Sequence, residues 1–594
     1  MDGVLERAAQ WGVETQHYDG LGRHWTVDPD VLARVLEAIG ANDGTPGPQA
    51  PQAVNHHPAF QGNDSLGRRS WAIAIQLYGI RSRLNWGHGD FSDLADLIEM
   101  AGALGASAIG LNPLHALFDD RPNEASPYYP NSRHFLNPLY IDIESIPEFP
   151  QTARGQFETE IEALRKQDLV DYASVARIKL AALMLAHENF RKSGTDERRR
   201  QFAEFRQERG TRLEAYAAFE VLRRRFEQPW WQWPIEWRKP TPEGLAALRA
   251  SDADQLAFVE FLQWIAHQQL AACCDLARHA GLQIGLYLDM AVGVRPDGFD
   301  AWNDQDVYLP SIEIGAPPDA LNTQGQRWGL AGVNPAALTA TDCAPFRALL
   351  RASMQYAGAI RLDHVLGLKR LYLVPNGVPA DQGAYVRFPF EPLLATTADE
   401  SVKSKCIVIG EDLGTVPPGF RETLASWGLW SYHVMLFERA ADGGFISPDL
   451  YRENALVTFG THDLPTFPGW TSGHDLGVKR ALGIDPGETN ADRAAALDAL
   501  HRAMAWRGLP VVDYPSVTRF LAATPSRLLV VTMEDVLDLT EQVNVPGTID
   551  EHPNWRRRLP IDLDECRDRL APLAAIMSEA GRQTGATPGH KSRG

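Results

Sequence analysis

Cysteine is scarce in this chain of 594 residues, and what there is lacks a pattern. The five residues Cys273, Cys274, Cys343, Cys406 and Cys566 are odd in number and have no metal-ligand spacing. A disulfide framework and a structural zinc site are thereby set aside, and a reduced, cytoplasmic protein is expected. No segment approaches the roughly 20 apolar residues that span a bilayer. The opening Met1-Asp2-Gly3-Val4-Leu5-Glu6-Arg7 has no basic stretch followed by an apolar one, so no secretion signal is expected. Basic residues are in deficit, 57 Lys and Arg against 76 Asp and Glu, for a formal charge of −19. That balance argues against nucleic acid and anionic membranes as partners. A glycine-rich phosphate loop, a dinucleotide fingerprint and paired histidines for a catalytic metal are all missing, which argues against a nucleotide-sugar donor and a zinc site. No repeat of solenoid period is visible.

What is present is apolar substance, 44% hydrophobic residues with 16 Trp, and three acids placed at the ends of apolar runs. Asp363 closes Ala359-Ile360-Arg361-Leu362-Asp363-His364. Glu411 closes Cys406-Ile407-Val408-Ile409-Gly410-Glu411, followed by Asp412-Leu413-Gly414. Asp463 follows Val457-Thr458-Phe459-Gly460-Thr461-His462. Each run has the length and β-branched content of a buried strand. One such motif alone is more simply a strand end capping the next helix. Three in order are poorly explained that way and read as an active site.

Five further runs resemble these, giving eight strand candidates: 71–78, 106–112, 283–289, 359–363, 406–411, 432–437, 455–459 and 527–533. Helical patterns separate them, one opened by Asp90 and ended near Gly102 and Gly105, another running from Phe258 to Ala280 before Gly281. Eight strands alternating with helices predict an α/β fold, a (β/α)8 TIM barrel, whose catalytic side chains project from the carboxyl ends of the strands. The intervals at about 115–280, 290–357 and 465–526 exceed what one helix needs. They are expected to be inserted subdomains on the loop face, the first largely helical. Residues 1–42 predict a small helical unit, with Asp28 capping a helix from Pro29. Residues 43–68, rich in Pro, Gly, Asn and His, predict a linker. The catalytic barrel is placed at 69–580 and a flexible tail at 581–594.

A pair of carboxylates is the minimum equipment for cleaving a glycosidic bond with retention, one attacking the anomeric carbon from about 5 Å away from its acid/base partner. Asp363 is assigned as nucleophile. Arg361, two residues earlier on the same strand face, would pair with it and fix its orientation. Glu411 is assigned as general acid/base, its pKa raised by the negative charge of Asp363. Asp412, pointing the other way, is expected to orient or cap. Asp463 would bind sugar hydroxyls and stabilise the oxocarbenium-like transition state, with His364 and His462 as candidates for the same hydroxyls. Asp289, at the end of the third strand, is expected to serve structure or a subsite.

These segments closely resemble the catalytic motifs of the 4-α-glucanotransferases, also called amylomaltases or disproportionating enzymes, which are relatives of the α-amylases. Further stretches fit the same family: Ser126-Pro127-Tyr128 leading to Asn137-Pro138-Leu139-Tyr140-Ile141-Asp142, Ala316-Pro317-Pro318-Asp319 running to Gly325-Gln326-Arg327-Trp328-Gly329, and Asn544-Val545-Pro546-Gly547-Thr548 with Asn554-Trp555-Arg556-Arg557. The resemblance runs from about residue 70 to 565. It implies that Asp363 is the nucleophile, Glu411 the acid/base and Asp463 the transition-state stabiliser. It implies donor-site roles for Arg361, His364, His462 and Asp289, and a glucan groove lined by Ser126, Tyr128, Gln326, Trp328 and Asn544. It also implies action on α-1,4-glucans and malto-oligosaccharides without metal or organic cofactor. The longer bacterial members carry a β-rich domain between the helical unit and the barrel. Only about 28 residues stand there in this chain, so functions of that domain do not carry over. The expected activity is transfer of an α-1,4-glucan segment to the 4-hydroxyl of an acceptor. A retaining α-glucan hydrolase is the alternative, and a catalytically inactive glucan-binding protein is disfavoured by the presence of all three acids.

Overall fold

The computed structural model describes residues 2–42, 47, 54–63, 69–319 and 322–583. Its centre is a ring of eight parallel strands: β1 (Ser70–Ile75), β2 (Ala108–Leu111), β3 (Gly285–Met290), β4 (Ala359–Leu362), β5 (Ile407–Gly410), β6 (Ser431–Val434), β7 (Ala455–Thr458) and β8 (Leu528–Thr532). They pair in the order β5-β4-β3-β2-β1-β8-β7-β6. The ring closes where Trp430, just before β6, pairs with Ile409 of β5. Its N–H donates to Val408 O and its carbonyl accepts from Gly410 N, both at 2.9 Å. The (β/α)8 barrel expected from eight apolar runs is therefore the fold, and each expected strand is present.

Period-2 alternation decides what each strand sends inward. Ala72, Ala108, Tyr287, Ala359, Ile407, Ile409, Trp430, Leu456, Leu528 and Val530 form a separate apolar cluster that fills the barrel. The same parity carries Asp289, Arg361, Asp363, Glu411 and Tyr432 to the inner side, nearer the carboxyl ends. The opposite parity packs outward against the helices. The long helix Ala253–His279, which leads into β3, buries Phe261, Trp264, Ile265 and Leu270 in that outer core.

The insertions add structure the sequence did not disclose. The first is helical as expected, with helices Tyr172–Ser193 and Asp196–Phe226. The second contributes strands Tyr308–Ala316 and Gln326–Val333, which join Arg370–Pro375 and Ala384–Arg387 in a four-stranded antiparallel sheet. That sheet spans two parts of the chain separated by β4, and the Tyr308–Ala316 register is broken twice by bulges, so no local alternation announces it. The N-terminal unit is two helices, Asp2–Trp11 and Pro29–Ala38, with a small hairpin between them (Gln16–Tyr18 with His24–Thr26). Asp28 caps the second helix by accepting from Asp30 N, as expected. The unit docks on the antiparallel sheet through Glu14 N to Tyr385 O, Arg387 N to Gly12 O and a Glu14–Arg370 ion pair at 2.9 Å.

Most of the expected linker, and residues 584–594 of the expected tail, lie outside the described residues. The described part of the linker is no free tether. Phe60 packs against the barrel-filling cluster, and Gln61 accepts from Trp430 Nε1 at 3.0 Å and donates to Gly428 O at 2.7 Å. The tail expectation needs correction at 581–583: Arg582 is fully buried, donating to carbonyls of Ala522, Ser526, Ser70 and Thr524. Bonds from one guanidinium to four carbonyls and the Thr524 hydroxyl give this segment fixed partners that its small, polar composition does not reveal. No helix among the described residues is long and apolar enough to cross a membrane.

Candidate active site

At the carboxyl ends of β3 and β4 an arginine sits between two acids. In-register pairing sets Arg361 beside Asp289. Arg361 Nη1 donates to Asp289 Oδ1 and Oδ2 at 2.9 and 2.8 Å, and Nη2 lies 3.0 Å from Asp363 Oδ1. Arg361 and Asp289 are buried, so the charges interact with little screening by water. The Tyr432 ring lies 5.6 Å beneath the guanidinium, a further favourable contact for a cation. Tyr128 donates its hydroxyl to Asp289 Oδ2 at 2.5 Å. The second oxygen of Asp363 faces Val292 N at 3.4 Å.

Glu411 stands on the neighbouring strand end. Its two oxygens accept main-chain N–H groups, Oε2 from His364 at 3.0 Å and Oε1 from Leu413 at 2.9 Å. His364 adopts a left-handed backbone (φ 48°), an uncommon conformation for a non-glycine residue and typical of functional sites. Burial pushes the Glu411 carboxyl up to about 7, with Asp363 adding to the rise and Arg361 opposing it. The sequence pointed to the charge of Asp363 as the cause of the rise, and burial is the larger one. Asp412 faces the other way and is spent on structure, accepting from Arg421 Nε at 2.9 Å and Tyr432 N at 3.1 Å.

The third acid sits on the loop after β7. Asp463 keeps 44% of its side chain exposed at the mouth of the cleft. His462 Nε2 lies 3.2 Å from its Oδ2, and Asn544 Nδ2 donates to its Oδ1 at 2.7 Å. Desolvation opposes ionisation there, but His462 and the hydrogen bonds outweigh it and bring Asp463 down to about 2. For His462 desolvation lowers the pKa, and the Asp463 carboxylate more than offsets it, raising it overall. The His462 ring stacks on Tyr128 with centroids 4.8 Å apart, which ties this loop to the Asp289–Arg361 pair.

The expected residues therefore converge. Arg361, Asp289, Tyr128, His462, Asn544 and the three acids form one connected network. Trp328 joins through an edge-to-face contact with His364, centroids 5.2 Å apart, and burial holds His364 below the usual histidine pKa. Ser126 and Gln326 are one step removed: Ser126 Oγ accepts from Tyr128 N at 3.3 Å, and Gln326 Oε1 from Trp328 Nε1 at 3.2 Å. Three contributors were missed. Tyr432 was findable from strand parity. Gln542, which donates to the carbonyls of Asp463 and Asn544 at 3.0 and 2.9 Å, had no sequence signal. Trp555, packed against Tyr128 and His462 with centroids 5.4 and 5.2 Å away, lay inside a recognised motif without an assigned role. Among the described residues no group of three or more His, Cys, Asp or Glu is arranged to hold a metal ion.

A (β/α)8 barrel with a buried acid near neutrality, an arginine-paired carboxylate beside it and a third acid at the cleft mouth is equipped for retaining glycoside chemistry. Residues 75–563 match the family model described as 4-alpha-glucanotransferase, and the chain belongs to that family. It is 37% identical over 568 residues to the 4-alpha-glucanotransferase of Haemophilus influenzae, covering 89% of this chain and 80% of that one. It is 38% identical over 576 residues to the 4-alpha-glucanotransferase of Mycobacterium tuberculosis, covering 91% and 79%. Among solved structures, amylomaltase from Corynebacterium glutamicum superposes with a TM-score of 0.83 at 27% identity, covering 98% of this chain and 99% of that one. The amylomaltase of Streptococcus agalactiae shares the fold with a TM-score of 0.74 at 22% identity. The chain is a retaining 4-α-glucanotransferase acting on α-glucans, and the hydrolase alternative is not favoured.

Proposed function

We propose that transfer proceeds by double displacement with Asp363 as nucleophile, Glu411 as acid/base and Asp463 as stabiliser of the positive charge that develops on the sugar. One observation carries the assignment: Glu411 is raised to about 7, while Asp463 is lowered to about 2. A group that must give a proton and later take one works best near the operating pH. Glu411 would protonate the departing glycosidic oxygen as Asp363 attacks the anomeric carbon, held by Arg361. Once the sugar is esterified to Asp363, one negative charge is gone and Glu411 can take the proton of the acceptor 4-hydroxyl. In this reading His462, His364 and Asn544 would donate to sugar hydroxyls, and Tyr128 and Trp328 would offer ring faces along the groove.

Incubating Glu411→Gln enzyme with an α-maltosyl fluoride tests this directly. Fluoride leaves without a proton, whereas deglycosylation still needs the base, so a glycosyl ester should accumulate. Peptide mass mapping should find it on Asp363, and a label on any other residue would overturn the assignment. The five unpaired cysteines support a reducing, cytoplasmic setting, which counting free thiols in protein taken directly from cells would check.

A further inference from the structure

Behind the barrel wall, on the side of β3 away from the catalytic acids, lies a second cavity of about 50 Å³. Tyr287 faces the barrel interior, so Leu288 faces out, and Leu288 lines this cavity. Its other walls come from strand Ser132–Leu136, helices Asp196–Phe226 and Ala253–His279, and the segment 352–356. At about 10–15 Å³ per water, it has room for about four water-sized atoms, the number of oxygens on a tetrahedral oxyanion.

The lining is rich in donors with capacity to spare. Arg133 Nε, His115 Nε2 and Ser353 Oγ have no hydrogen-bond partner among the described residues, though their side chains are more than nine-tenths buried. The Arg133 guanidinium otherwise donates to Ala291 O, Val292 O and the Tyr308 hydroxyl, at 2.9, 2.8 and 2.8 Å, with no carboxylate among them. The nearby Asp300 is occupied by Ser132 Oγ and the Arg133 main-chain N–H. Arg209, at the rim, also meets neutral groups, Gln355 Oε1 at 2.7 Å and His267 Nδ1 at 3.2 Å. The acid on the wall, Asp289, is taken by Arg361 and Tyr128. Burial and neighbouring arginines hold His115 and His134 down to about 3 and His267 to about 4. These imidazoles are neutral, and the two guanidiniums dominate the cavity's charge. The Arg133 guanidinium makes no direct ion pair among the described residues, Asp300 acting on it only through space, and charge-assisted bonds to an oxyanion would use its spare donor.

We propose that this cavity binds a small tetrahedral oxyanion, phosphate or the phosphoryl group of a sugar phosphate, on Arg133, Arg209 and Ser353, and that its occupancy reaches the catalytic carboxylate. The connection is short. Arg133 holds the carbonyls of Ala291 and Val292, and Val292 N faces Asp363 Oδ2 at 3.4 Å. An anion drawing on the guanidinium alters the hold on that segment.

The test is titration of the full chain with inorganic phosphate and with glucose 1-phosphate by calorimetry, at ionic strength fixed with chloride. Saturable binding is expected, weakened about tenfold or more in Arg209→Gln and further in Arg209→Gln/Ser353→Ala, as follows from losing a charge-assisted hydrogen bond. Tighter binding of glucose 1-phosphate would assign the phosphoryl of a sugar, and equal or weaker binding the free anion. Transfer from maltotriose should change with phosphate in the wild type and lose that response in Arg209→Gln. A response no larger than that to chloride, or binding that survives both substitutions and competes with maltotriose in the cleft, would overturn the site. Phosphate binding that leaves the transfer rate unchanged would overturn its link to Asp363.

Discussion

Raising the pH above neutrality should switch off the first chemical step through Glu411. With an ordinary pKa of 4.5, about 1 in 300 molecules would carry the proton at pH 7; at about 7, roughly half do. The protein environment thus supplies on the order of a hundredfold in the active protonation state. Each pH unit beyond 7 should lower kcat/KM for maltotriose about tenfold, because protonated Glu411 is the required form. An α-maltosyl fluoride, followed by initial fluoride release, provides the control. Its leaving group needs no proton, so the alkaline limb should vanish. Glu411→Gln should cost about 10²–10⁴-fold on maltotriose and far less on the fluoride. The reasoning is refuted if both donors lose rate equally, or if the alkaline limb persists with the fluoride.

Other expectations follow from the same geometry. Asp363→Asn should remove activity by several orders of magnitude while the thermal transition is retained, since an amide cannot form the ester; residual turnover above a few per cent would move the nucleophile elsewhere. Arg361→Ala leaves buried Asp289 unpaired and should destabilise the fold by about 3–5 kcal/mol, read from denaturant midpoints, whereas a loss below about 1 kcal/mol would mean the pair is more hydrated than its burial indicates. Asn544→Ala should cost about 1–3 kcal/mol of transition-state stabilisation, seen mainly in kcat. Because the folded pKa of Glu411 is raised, stability falls as pH rises from 4.5 to about 7. Glu411→Gln should therefore stabilise at pH 8 by about 3 kcal/mol more than at pH 4, and equal melting shifts at both pH values would contradict this.

The barrel and its acids were legible because strand parity is strict: once Arg361 faces inward, so does Asp363, and the run ending at Glu411 repeats the pattern. What escaped depends on distance along the chain. The antiparallel sheet pairs Tyr308–Ala316 with Arg370–Pro375, and Phe60 reaches the barrel cluster across several hundred residues, so neither leaves a local pattern. Gln542 acts through two main-chain carbonyls and has no motif. The dominant cause of the Glu411 shift, burial, depends on how distant parts of the chain pack around the strand ends, which no strand motif reports.

The central claim is transfer, and it is tested most directly by counting ends. Each transfer breaks one α-1,4 bond and makes another, so maltotriose alone should yield glucose and chains of four or more units with no net rise in reducing ends. Water is present at about 55 M, and a well-oriented acceptor can reach an effective molarity of about 10⁵ M or more, enough to outcompete it. Constant reducing ends with a spreading chain-length distribution is the predicted result. Reducing ends rising in step with loss of maltotriose, with only shorter products, would contradict it.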